Sequence, residues 1–171
     1  PEREYKHLCD AVGGTYVDIS LSSDSKINPF DLPRPVGEET SVEDIIRSAV
    51  ITAKGLLRIM LGKLTSEEDS LLDRALLETY AKKDIGPETD LLTAEPPIMQ
   101  DLIDVLEGME GTKDIVIRLE KFVSGTFAGL FNSPTNVNVR NQLVIFSVRD
   151  LEDELRPMAI YSIVNYIWNV V

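Results

Sequence analysis

The sequence contains one cysteine, one histidine and one tryptophan in 171 residues. A single Cys9 excludes an internal disulfide and any zinc site built on paired thiolates, and it fits a reducing compartment. Its expected place is the interior, as a small apolar residue. A lone His7 cannot anchor an ordinary zinc site or a cysteine–histidine catalytic pair, so it reads as a helix surface residue. Positive charge is also scarce: 17 Lys and Arg stand against 29 Asp and Glu, a formal net charge of −12. A phosphate-binding surface needs clustered basic side chains, so this segment carries no strong nucleic-acid signal. No secretory signal pattern opens the sequence. The apolar run 158–171 is shorter than the roughly 20 residues that span a bilayer. It also contains Ser162, Asn165 and Asn169, so a buried core helix is expected rather than a transmembrane segment.

Catalytic motifs are missing too. No G-x-x-x-x-G-K-S/T phosphate loop occurs. Gly62-Lys63 is the sole Gly-Lys pair, and Leu64 follows where Ser or Thr would reach magnesium. A helix end explains that pair. Asp150 sits where an acidic residue at a strand end would bind magnesium or polarise water; the alternative is a helix-capping role for the following turn. Glu152, Asp153 and Glu154 point in different directions on one turn and read as a solvated face, not an acid/base pair. No metal site and no catalytic residue is assigned.

What is present is mostly helix. Residues 2–12 form a short helix with Tyr5, Leu8, Cys9 and Val12 on one face, and Gly13-Gly14 stops it. Residues 15–19 alternate and are β-branched, which predicts a strand. A polar loop, 20–35, follows with INPFDLP at its centre, where prolines block regular structure. Residues 41–123 then read as four amphipathic helices. The first starts at Ser41 with Asp44 at the reciprocal position and stops at Gly62. The second opens on a Thr65/Glu68 capping box. The third has Pro97 as its first residue, and the fourth is capped by Thr112. Their stripes are expected to pack against one another.

After Gly125 the pattern returns to β. Residues 127–131 and 137–139 are expected to pair as a hairpin. Residues 142–148 are nearly continuously apolar and are expected in a sheet interior. A turn over 151–155 leads to a helix from Pro157 that is apolar almost all round and should be buried on most faces. The fold class is therefore α/β with helix predominating. Two stretches, 1–40 and 124–171, form a partial sheet core, and 41–123 is an inserted helical subdomain. A chain that opens on Pro1 and closes inside an apolar helix is expected to be a piece of a longer protein.

Five stretches in this order carry a family resemblance: PEREY at 1–5, GGTYVDIS at 13–20, INPFDLP at 27–33, SGTFAGLFNSPTNV at 124–137 and NQLVIFSVRDLEDELRPMAIYSIVNYIWN at 141–169. Together they resemble the ATPases that power type IV secretion and conjugative transfer, the VirB-four, TraC and TrbE-like family. The resemblance implies a RecA-like P-loop NTPase motor that binds ATP and magnesium between subunits of a hexamer. It would lie at the inner face of the bacterial cell membrane and work with other secretion components. The family's phosphate loop lies upstream of the PEREY motif and its acidic magnesium strand downstream of the last helix. The resemblance thus implies a middle section that binds no ATP and hydrolyses none alone, and it demotes Asp150. It also implies that Glu2, Glu4 and Tyr5 lie near the nucleotide, although the family's leading Asp is absent here. Arg149 matches the family's Arg-Asp and would contact phosphate or a neighbouring subunit; the alternative is an ion pair with Asp150 or Asp153. Two other readings stand beside this one: a non-catalytic docking module of a secretion apparatus, and part of a related DNA-translocating motor.

Overall fold

The computed structural model describes residues 2–35 and 40–170. Among them six α-helices and two strands occur, in the order α1 (Glu2–Ala11), β1 (Thr15–Asp18), α2 (Val42–Leu61), α3 (Ser66–Lys82), α4 (Met99–Glu107), α5 (Lys113–Val123), β2 (Val144–Ser147) and α6 (Arg156–Val170). The chain is α/β with helix predominating, and β1 and β2 form a two-stranded parallel sheet. Thr15 pairs with Val144 and Asp18 with Ser147. Backbone bonds extend the ladder at both ends, from Thr15 N to Leu143 O (2.9 Å) and from Ile19 N to Ser147 O (2.9 Å). Parallel strands need a long crossover; here it carries four helices.

The turn from α1 into β1 is set by a close approach. A Cβ on Gly14 would lie 2.8 Å from both Cys9 Sγ and Leu143 O. Only glycine lets the helix end, the strand start and the neighbouring strand meet there. Cys9 is fully buried at this contact, as expected.

Helices α2 to α5 pack in sequence, and α2 also meets α5 and α6. The expected stripes are the buried ones. Leu72, Leu76, Leu102, Leu106, Ile115, Leu119 and Phe122 are all 0 % exposed. Each such side chain contributes about 1.5–3 kcal/mol on transfer from water. The Thr65/Glu68 box forms in both directions, from Glu68 N to Thr65 Oγ1 (3.1 Å) and from Thr65 N to Glu68 Oε2 (2.7 Å). Arg118 of α5 pairs with the same Glu68. Lys54 of α2, nearly buried, holds Asp69 (2.8 Å) and Asp73 (2.7 Å) of α3.

Several expectations are corrected. Helix α4 begins at Met99, not Pro97, and Asp101 accepts from the backbone of its N-cap Ile98 (2.8 Å). The Pro97 carbonyl instead receives the buried Asn28 amide (2.9 Å). The Thr112 hydroxyl does not cap α5. It donates back to Leu106 O (2.5 Å) and Met109 O (2.8 Å), closing the end of α4. No hairpin forms over 127–139: Phe131 packs edge-on against Phe122, and Thr135 and Asn136 bond to the 24–31 loop rather than to a partner strand. Strand β2 is half-buried along its length, and among the described residues β1 is the one strand paired with it. Helix α6 is apolar almost all round, as expected, but it is buried on one face and not on most. It buries Met158, Ala159, Ser162, Ile163 and Tyr166, while Ile160, Val164, Ile167 and Trp168 are exposed.

Candidate functional site

In open α/β sheets ligands gather outside the carboxyl ends of the strands. Here those ends are Asp18 and Ser147. After β1 the chain turns through Ser20, whose hydroxyl donates to Asp18 Oδ2 (3.3 Å) and lies 3.4 Å from the Ser22 hydroxyl. After β2 the chain reaches Arg149, which forks onto Asp150 through Nε (2.8 Å) and Nη2 (3.1 Å). These bonds hold the Asp150 carboxyl below its ordinary range. Arg156 donates to the Arg149 carbonyl (3.2 Å) and pairs with Asp153 (2.5 Å). The ion pair that the sequence offered for Arg149 thus forms with Asp150, while Asp153 is taken by Arg156.

A groove of about 780 Å³ runs along the strand from Leu143 to Arg149 and is closed on its flanks by Tyr5 and Leu8 of α1, Tyr16 and Arg156. The structure therefore brings two of the sequence-derived site residues, Tyr5 and Arg149, to one surface. Glu4 is exposed on α1 and does not line the groove. The Glu2 side chain lies outside the described residues. The amphipathic face expected for α1 exists, but only Cys9 is buried; Tyr5, Leu8 and Val12 are all more than half exposed. The outer face of α6 also exposes apolar side chains, Ile160, Val164, Ile167 and Trp168.

Sequence reasoning missed the centre of the polar architecture, which lies in the INPFDLP loop. Asn28 donates through its backbone to Thr135 Oγ1 (2.7 Å), and the Thr135 hydroxyl donates to Asp31 Oδ2 (2.5 Å). Asn136 bonds Lys26 through backbone and side chain and donates to Asp24 O (2.7 Å). The fully buried Tyr80 of α3 donates to Phe30 O (3.0 Å). The loop thereby ties α3, the entry to α4 and the 132–137 segment together. Burial raises the Asp31 carboxyl and, with Asp31 nearby, pushes the Tyr80 phenol far up. The length and proline content of the loop were visible in the sequence; its partners, 50 or more residues away along the chain, were not. Gly55 was missed as well. It sits inside α2 because a Cβ there would overlap the Tyr161 hydroxyl of α6, which donates to Thr52 O (3.1 Å).

The sequence carries no G-x-x-x-x-G-K-S/T phosphate loop, and the basic side chain at the end of β2 is forked onto a carboxylate. Among the described residues no helix is long and apolar enough to cross a membrane.

No family model matches the chain, and no curated protein matches it by sequence. Among solved structures, VirB4 of Thermoanaerobacter pseudethanolicus is similar over 99% of this chain, with a TM-score of 0.83 and 25% identity. This chain spans 66% of that one, just under two thirds. The likeness to the type IV secretion ATPases carried by the five motifs therefore holds over the whole chain and its order of elements.

Proposed function

We propose that this VirB4-like chain is the middle section of an ATP-hydrolysing motor that energises type IV secretion or conjugative transfer. The superposition on VirB4 along 99% of the chain is the observation that carries the reading. In it, β1 and β2 belong to a RecA-like sheet that continues beyond the open side of β2, and residues 41–123 form its helical insert. ATP and magnesium are bound by segments on either side of this one, between subunits of a hexamer at the inner face of the cell membrane. Tyr5 and Arg149 would border that site, and Glu2 and Glu4 would lie next to it on α1. The exposed apolar side chains along α1 and α6 support the first of these points, since a closed sheet face would otherwise cost solvent exposure of several large side chains.

The test is ATP hydrolysis by the full-length parent. The reading predicts turnover by the parent and none by the 171-residue chain, which lacks the lysine and backbone amides that clamp phosphates. Arg149→Ala in the parent should lower kcat on the order of 10³-fold if its guanidinium stabilises the transferring phosphoryl group. A parent with no ATPase activity would sink the reading; an Arg149→Ala parent with full activity would leave the motor but remove Arg149 from its site.

One observation favours a docking role for the insert as well. Ile51 of α2 and Leu77 of α3 are exposed beside Ile46 in a groove rimmed by Glu43, Arg47 and Asp73. Retention of secretion components by the parent, lost on Ile51→Asp with Leu77→Asp while ATPase activity persists, would establish it.

A further inference from the structure

The interior contains one polar seam that neither the motor reading nor the packing accounts for. It lies where the INPFDLP loop meets α2 and α6. Asn28, Asp31, Thr52, Ser162, Asn165 and Asn169 supply its polar lining, and Leu56 and Tyr166 are among its apolar walls. The cavity measures about 20 Å³. That is enough for the centre of one water molecule, which needs roughly 10–15 Å³ by this measure.

Ser162 is 6% exposed, and its Oγ has no hydrogen-bond partner among the described residues. This is unusual for a helical serine, whose hydroxyl ordinarily donates to the carbonyl four residues back. A buried hydroxyl left unpaired is costly, and native structures rarely keep one without a solvent partner. The neighbouring groups have capacity to spare. Asp31 accepts from Thr135 through Oδ2, and a carboxylate offers a second oxygen. Asn165 uses its amide nitrogen on Tyr161 O (2.8 Å), and its amide oxygen is a further acceptor. A water at this point would accept from Ser162 Oγ and donate its two protons to these two oxygens, meeting the two to four partners a buried water requires.

We propose that this cavity is a binding site for a single structural water that bridges Ser162 of α6 to the Asp31 loop. The water joins the last helix to the same loop that clasps α3 and the 132–137 segment, so all four pieces share one hydrogen-bond network.

The sign of one substitution tests this. If Ser162 is bridged, Ser162→Ala in the 171-residue chain strips the water of a partner, and the melting temperature falls by about 2–4 °C, the shift that a single lost bond of ordinary strength produces at this size. If Ser162 is an orphan, the same change removes an unsatisfied buried hydroxyl, and the melting temperature stays level or rises. A crystal structure of the wild-type chain at a resolution that shows ordered solvent gives the second readout. It should place a solvent peak about 2.7–3.2 Å from Ser162 Oγ and within reach of Asp31 or Asn165. A dry cavity, a peak that contacts Ser162 alone, or a Ser162→Ala chain that melts no lower would each overturn the proposal.

Discussion

The four-helix region and the sheet side of this molecule are built from similar amounts of apolar sequence, yet their helices are covered to different degrees. Along α2 to α5 the stripes close on one another, leaving Leu72, Leu76, Leu106 and Leu119 without solvent contact. Along α1 and α6 the corresponding positions, Tyr5, Leu8, Ile160, Val164 and Trp168, face outward. A hydrophobic pattern states that a face will be covered; it does not state by what. The helical region contains its own cover, whereas the sheet side shows two strands where an α/β layer commonly has more.

That contrast can be broken by substitution, and the largest effect is expected inside the helices. Phe122 is fully buried between Phe127 and Phe131, with ring centroids 5.8 and 6.3 Å away. Phe122→Ala should cost about 3–5 kcal/mol in urea unfolding, whereas Trp168→Ala on the open side should stay within about 0.5 kcal/mol. Equal losses would mean that the two regions do not differ as described.

A smaller effect is expected at the loop that joins the two regions. Tyr80→Phe removes the donor to the Phe30 carbonyl without changing the packing, and should cost about 1–3 kcal/mol. A neutral result would show that the loop does not depend on α3. At the start of α3, Thr65→Ala removes one half of the capping box and should cost about 1 kcal/mol by thermal melting.

Acid separates the two regions by sign. Glu68 lies below its ordinary value, mainly through the Thr65 backbone bond, and Asp69 through bonds from Lys54 and then Arg58. Depressed carboxylates contribute stability above their unfolded values of 4.5 and 3.8, and that contribution is lost as pH falls through the folded values. Asp31 runs the other way. Burial raises it, so its contribution is present below 3.8 and is lost as pH rises through the folded value. Asp31→Asn should therefore raise the melting temperature relative to wild type more at pH 7 than at pH 3. A difference that is larger at pH 3 would contradict the assignment. The smallest effect belongs to Arg149→Ala: its pair with Asp150 is exposed, and the melting temperature of the chain should move by no more than about 2 °C.

How far the sequence could be read follows from the range of the interactions. The capping box at Thr65, the helix stop at Gly62 and both strands were legible because their determinants lie within a few residues. The third helix was placed two residues early because Pro97 surrenders its carbonyl to Asn28, 69 positions away in sequence. The hairpin over 127–139 was misread because Thr135 and Asn136 find their partners in the 24–31 loop. Of the site, the Arg149–Asp150 pair was local and legible. The meeting of Tyr5 with Arg149 needed the parallel register of β1 and β2, which no local pattern encodes.

Hydrogen exchange offers the most direct test of the central claim, that the open side is a sheet and helix face completed within a VirB4-like motor. Amides of residues 144–147 and 160–168 would be followed in the 171-residue chain and in the full-length parent under identical conditions. The account predicts that β2 and the outer turns of α6 exchange markedly more slowly in the parent, while α3 and α4 exchange alike in both. Equal exchange of β2 and α6 in the two proteins would contradict it.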